Sequence, residues 1–356
     1  MSTIVDTRTT ASRIAGVCAV LLLAAAIVAP VFVGRGVIQD LFFILTMLTL
    51  AQFWNLLAGY GGLVSVGQHA FVGIGAYTLF GAGLLLGLDP VAALLLCGVV
   101  AVVIAVPTAF FAFRLQGAYF AIGTWVVAEV VRLSVAQWQA LGGGSGTSLP
   151  PTARDFAGTA WVARVLDVRD AAARDIVTYW LALALAVATC AGVYALLRSK
   201  RGLALAAVRD NVAAAQAVGV DAQRMKWLVF LIAAFGTGIA GGLIYLQKGR
   251  ISPDAAFSVT DWTAFVIFIV VIGGIGTIEG PIIGVLVFFA LQSLLADYGS
   301  TYLIVLGALG VVIMLFAPRG LWGLFAARTG IHLFPVRRRL RRTVPRNTQP
   351  PGETHG

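Results

Sequence analysis

Apolar runs separated by short polar or glycine-rich breaks recur along the whole chain. They form candidate spans at 14–33, 41–58, 70–88, 91–113, 117–136, 176–197, 227–246, 262–276, 281–296 and 301–317. A helix rises about 1.5 Å per residue, so about 20 such residues cross the hydrocarbon of a bilayer. The pattern predicts an all-α integral membrane protein of about ten transmembrane helices. The last three runs are short and rich in glycine, which leaves their edges least defined. Two longer interruptions stand out, at 137–175 and 198–226.

Composition agrees with a membrane protein, at 60% hydrophobic and 11% charged residues, where a soluble domain has about 45–50% and about 25%. The net charge of +10 is concentrated in the loop at 198–226 and in the tail "RRRLRRTVPR". Basic residues beside spans mark the cytoplasmic side, so the surplus reads as an orientation signal and not as a nucleic-acid surface. An even span count puts both termini on one side, and the eight arginines after residue 318 against Glu353 make that side cytoplasmic. Alternation then places 198–226, with six basic residues and two acids, inside the cell. It places 137–175 outside, where Arg154, Arg164, Arg169 and Arg174 balance Asp155, Asp167, Asp170 and Asp175. The expected layout is a cytoplasmic N-terminus at 1–13, a transmembrane domain at 14–320 and a basic cytoplasmic tail at 321–356, whose arginine-rich part after Arg337 reads as a disordered or lipid-associated extension. Ile14 to Val33 follows Arg8 and Arg13 and is longer than the apolar core of a signal peptide, about 7–15 residues, which favours an uncleaved first helix.

Reactive chemistry is sparse. Cys18, Cys97 and Cys190 lie inside apolar runs, and His69, His332 and His355 are far apart, so neither a disulfide framework nor a metal site is expected. None of Lys200, Lys226 and Lys248 belongs to a G-x-x-x-x-G-K-[ST] phosphate loop, and H-E-x-x-H and G-x-S-x-G are absent. The chain therefore reads as neither an enzyme nor a holder of its own cofactor.

Three stretches carry polar groups or glycines at membrane depth. The first is "NLLAGYGGLVSVGQHAFVGIGAY", 55–77, where Gly59, Tyr60, Gly61, Ser65, Gln68 and His69 are candidates to line a path. Irregular backbone is tolerated there only beside a cavity or within protein, and a tight turn with close helix packing fits equally. In "VVIGGIGTIEGPIIGVLVF", 270–288, Gly276, Gly280 and Gly284 recur every four residues as a packing ridge. Pro281 and the glycines suggest an interruption between two half-helices, and Glu279 is placed at the cytoplasmic mouth. Glu129 and Arg132 share a helix face and can pair, either beside a path or at the outer interface.

The loop "RSKRGLALAAVRDNVAAAQAVGVDAQRMKW", 198–227, is built differently from its apolar flanks. Asp210 or Asn211 can cap a helix over "NVAAAQAV" ending at Gly219, and Asp221 can cap the next span. So short a helix needs either a partner surface or the membrane interface to hold it. A secondary transporter would need its own ion-coupling carboxylate, for which Glu129 is the candidate. A permease driven by a separate ATPase would need a cytoplasmic docking element of this form.

"RDNVAAAQAVGVDAQRMKW" resembles the coupling loop of bacterial ABC-importer permeases. "NLLAGYGGLVSVGQHAFVGIGAY", "GAYFAIGTWVVAEVVR" and "VVIGGIGTIEGPIIG" resemble the branched-chain amino acid permease family, the Liv group, in the order of its M-type subunit. The resemblance covers roughly 36–320 and implies a type II ABC-importer-like bundle in the bacterial inner membrane. It implies a second homologous permease subunit, two cytoplasmic ABC ATPases that consume the ATP, and an extracytoplasmic solute-binding protein. On this reading Arg209, Asp210, Asn211, Ala213, Ala214, Ala215 and Gly219 form the ATPase-coupling element. His69 departs from the family, which usually carries a small residue near that position. Branched-chain or related hydrophobic amino acids are the implied solutes; urea or short amides through the same machinery, and a secondary transporter acting alone, are the alternatives.

Overall fold

The computed structural model describes residues 3–6, 10–150, 157–295, 301–317, 319–329, 333–334 and 339–342. Arg154, Asp155, His332, His355 and the tail from 343 lie outside them. A short strand β1 (Thr3–Asp6) precedes α1 (Thr10–Phe32) and α2 (Arg35–Asn55), whose end widens into a π-turn at Leu56–Tyr60. α3 (Gln68–Leu85), α4 (Pro90–Ala112) and α5 (Ala118–Ala136) follow. The next interruption holds β2 (Thr147–Ser148) and α6 (Ala157–Leu166), then α7 (Asp170–Arg198) returns. α8 (Lys200–Asp210) and α9 (Val212–Ala217) make up the central loop before α10 (Ala222–Lys248). β3 (Arg250–Ile251), α11 (Pro253–Ala256) and a second π-turn (Thr260–Ala264) lead into α12 (Phe265–Gly273). α13 (Glu279–Leu295), α14 (Thr301–Phe316), α15 (Gly320–Thr329) and β4 (Arg339–Arg342) complete the described chain.

Each predicted span has its helix, and seven helical stretches are long and apolar enough to cross a membrane. The centre of the bundle is α2 with its π-turn, 72% buried, and α10, 67% buried, whereas α5 is only 17% buried. α3 and α10 approach until their backbones touch. A β-carbon on Gly75 would strike the carbonyl of Gly238, and one on Gly241 the carbonyl of Val72. Lipid offers little hydrophobic drive between helices, so such close packing of small residues is what holds them.

The loops gather at two ends. At one, β2 pairs antiparallel with β3, with Thr147 opposite Ile251. There the buried Asp175 carboxylate accepts from Arg35, from Gln39 at 3.0 Å and from Gln247 at 2.9 Å, joining α2, α7 and α10. Residues 59–62, α8, α9, the 274–278 loop and residues 333–334 collect at the other end. The two terminal strands also pair, Asp6 opposite Arg339.

Three expectations change. The interruption at 137–175 contains the helix α6, and α7 starts at Asp170, where an acid suits the positive helix end, six residues before the predicted 176. The boundary at 320 cuts into α15, because apolar "GLWGLFAA" continues as a helix and Trp322 is buried. Part of the arginine-rich tail, read as a disordered or lipid-associated extension, forms the ladder β4 with β1.

Candidate translocation and coupling site

Two polar side chains on α2 organise the end where the loops 59–62 and 274–278 meet. Gln52 Nε2 donates to Ile278 O at 2.7 Å. Asn55 Nδ2 donates to Thr277 O at 2.8 Å, and its Oδ1 accepts from Gly276 N at 2.8 Å. Gly276 holds φ +75°, a left-handed conformation that suits glycine, and it lies directly against Gly59. Gly276 is therefore not part of the packing ridge. Gly280 and Gly284 are: β-carbons there would strike the carbonyls of Gly274 and Ile269 on the α12 side of the hairpin. The predicted interruption falls at 274–278, at Gly274 and Gly276 and just before Pro281.

Arg209, at the end of α8, turns into this assembly. Its Nη1 donates to Gly59 O at 3.2 Å, while Nε and Nη2 donate to Asp210 Oδ1 at 3.1 and 2.9 Å. The carbonyls in the last turn of a helix lack partners along the chain, and a cation is favoured at that negative end. Arg209, assigned to the coupling element, caps the π-turn at the end of α2. Tyr60 and Gly61 are buried beside it, Gly61 near Val229. Glu279, also buried, starts α13, and its Oε1 accepts from Leu333 N at 3.0 Å and Phe334 N at 2.8 Å.

The break between α2 and α3 is held from inside. Trp54 Nε1 donates to Ser65 O at 2.8 Å, and Ser65 Oγ accepts from Gly67 N at 3.2 Å. Gln68 Nε2 donates to Leu50 O at 3.0 Å and Thr237 Oγ1 at 3.3 Å. His69 Nδ1 lies 3.1 Å from Val66 O and 3.0 Å from Thr263 Oγ1. A carbonyl only accepts, so in the neutral ring Nδ1 carries the proton and Nε2 is the bare acceptor. His69 Nε2 and Gln68 Oε1 are buried without a protein partner among the described residues. A small cleft at the break is lined by Ser65, Gly67, Ala70, Thr108, Thr124 and Phe230, and neither Gln68 nor His69 is among its lining residues. Gly67 packs against the backbone of Thr124 at the edge of that cleft, the close helix packing that was one of the two readings of 55–77.

Glu129 and Arg132 pair as expected, with Arg132 Nε 3.0 Å from both carboxylate oxygens. Arg132 Nη1 also donates to Asp254 Oδ1 at 2.6 Å, which ties α5 to α11 at the end opposite Arg209. Glu129 is partly exposed and does not join the cluster around Gly59.

In the central loop Asn211 caps α9, its Oδ1 accepting from Ala214 N at 3.0 Å, and Asp221 caps α10 through Arg224 N at 3.0 Å. α9 has six residues, fewer than predicted, and Gly219 reverses the chain after it at φ +84°. Ala213 and Ala214 are exposed. Ala215 is not, being packed between Val208 and Ala222, so it belongs to the loop's own small core. Sequence reasoning missed Gln52, Asn55, Thr263 and Asp175 as organising groups. Gln52 and Asn55 did leave a signal, as two amides in the otherwise apolar run 41–58.

Residues 36–317 match the family described as the permease component of branched-chain amino acid transport systems. The LivM permease protein of the Escherichia coli K12 high-affinity branched-chain amino acid system is 31% identical over 314 residues, 85% of this chain and 73% of that protein. LivM of Salmonella typhimurium LT2 is 30% identical over 84% of this chain and 73% of its own length. A shorter match joins 35% of the chain to 40% of Escherichia coli K12 LivH at 32% identity. No solved structure matches the chain. The matched span runs from α2 through α14 and includes both the broken helix and the α8–α9 loop, so the chain belongs to the branched-chain amino acid transport permease family and is M-type.

Proposed function

We propose that this chain is one membrane-spanning subunit of an ATP-driven importer of branched-chain or related hydrophobic amino acids. A second, related permease subunit completes the path, two cytoplasmic ATPases supply the energy, and an extracytoplasmic binding protein delivers the solute. The observation that carries the reading is the α8–α9 loop. It presents exposed Ala213 and Ala214 outward while Arg209 binds the end of a helix that breaks inside the bundle. Similarity to both LivM and LivH proteins supports a pair of related permeases. Ser65, which lines the cleft, and Gln68 and His69, buried at the same break with Oε1 and Nε2 free of protein partners among the described residues, are assigned to the solute path. The excess of arginine and lysine at 198–226 and in the tail supports cytoplasmic termini in an inner membrane.

The test is reconstitution of the four kinds of subunit in liposomes. Leucine, isoleucine or valine uptake is expected to require ATP and the binding protein. Uptake by this chain alone, driven by an ion gradient, would overturn the reading; preference for urea or a short amide would move the substrate class. Orientation is tested separately, after serine replaces Cys18, Cys97 and Cys190. An impermeant thiol reagent added to intact spheroplasts should label Ser145→Cys and spare Gln216→Cys, both positions being exposed.

A further inference from the structure

We infer that Arg209 is a mechanical latch: it couples the position of the α8–α9 loop to the break at the end of α2, and through it to the 274–278 loop. The inference rests on the proposed ATPase-coupling role of that loop. Arg209 stands two residues before the cap of α9, so motion of α9 reaches it through almost no flexible chain. Its guanidinium acts in two directions, through Nη1 on Gly59 O and through Nε and Nη2 on Asp210. The Arg209 side chain is 32% exposed and that of Asp210 70%, so the cation is drawn inward while the carboxylate orienting it stays out. Gly59 in turn lies against Gly276, which Asn55 fastens to α2, and a β-carbon on Gly276 would come 3.7 Å from Arg209 Nη1. Three elements therefore meet at one guanidinium, with no room for a side chain on Gly59, whose β-carbon would come 2.5 Å from Gly276 N.

The carbonyl it holds belongs to a π-turn, a widened turn inserted at the end of a helix. Such turns are frequent at functional sites. Withdrawing Arg209 leaves Gly59 O without its donor, so the turn must follow the arginine or rewind. Either response moves Gly59 against Gly276, where α2 meets the start of the α12–α13 hairpin. Lysine cannot replace this function fully, because one ammonium lacks the fork that serves two acceptors at once.

The complete importer, reconstituted with each of wild type, Arg209→Gln, Arg209→Lys and Asp210→Asn, is assayed for uptake and ATP hydrolysis in the same vesicles. The quantity read is solute imported per ATP hydrolysed, at equal amounts of assembled complex. A hydrogen bond from a charged donor sets the expected loss for Arg209→Gln at about tenfold. Arg209→Lys and Asp210→Asn should fall between it and wild type. A wild-type ratio in Arg209→Gln would overturn the latch. So would parallel losses of assembly, hydrolysis and uptake with no change in their ratio, since those mark a purely structural prop. Failure of the wild-type importer to need ATP, or of a cysteine at Ala214 to cross-link to an ATPase, would instead overturn the coupling role beneath it.

Discussion

Asn55 holds together two parts of the chain that lie 221 residues apart. Exchange for leucine keeps the volume but leaves Gly276 N and Thr277 O unpaired inside the protein. Unpaired buried groups of this kind cost about 1–3 kcal/mol each. Asn55→Leu is therefore expected to lower the thermal midpoint of the detergent-purified complex, and an unchanged midpoint would remove Asn55 from the framework. Gly67 makes the opposite kind of demand, for space. A leucine there meets the backbone of Thr124, which cannot step aside, so Gly67→Leu should reduce the yield of folded subunit before it blocks any path. Solubilised yield from the membrane would decide this. Pairings of this sort were not legible in the sequence. Asn55 and Gln52 look like any polar pair in a span until the fold brings 276–278 to them.

At the scale of elements, local rules read well and long-range ones did not. Asn211 and Asp221 cap the helices expected of them, because capping depends only on groups three residues away. α8 was not anticipated as a separate helix, and the π-turn at Thr260–Ala264 left no signal, since its widened hydrogen bonds answer to packing from other segments; the one at Leu56–Tyr60 falls in the glycine-rich stretch 55–77. The split within the alanine run gives a test. Ala214→Trp should leave the loop folded and abolish solute-stimulated ATP hydrolysis together with uptake. Ala215→Trp should break the small core with Val208 and Ala222 and expose the loop to protease. Equal protease resistance of the two variants would contradict this packing. Loss of the Asn211 cap by alanine exchange is expected to cost about 1 kcal/mol and to weaken coupling in proportion.

For the whole molecule, length and hydropathy were enough to find the helices and the charge pattern enough to propose their direction. Which helices lie at the centre was not readable from hydropathy, because α4, the most apolar of the seven spans, is 39% buried, whereas the less apolar α2 is 72% buried. The difference lies in which polar residues are buried: Thr46, Thr49, Gln52 and Asn55 on α2, Gln68 and His69 on α3 and Thr237 on α10, against Thr124 alone on α5. Trp125, Val126 and Val130 of α5 point outward. Lysine at Val126 would face lipid or a partner span, at a cost of about 3 kcal/mol at the centre of a span. The amount of membrane-integrated protein should drop accordingly, while Val126→Leu should have no effect.

Glu279 sets an order of events in the making of the molecule. Its carboxylate accepts the amides of Leu333 and Phe334, which are synthesised 54 and 55 residues after it. Until that stretch leaves the ribosome, the first residue of α13 is an acid without those two donors. Burying it in that condition would cost several kcal/mol. The α12–α13 hairpin must then wait, open to water at its turn, while α14 and α15 are threaded and the tail folds back. A nascent chain stalled before Leu333 should keep residues 274–278 open to protease after every span has been inserted, and closure should come as a separate, final step.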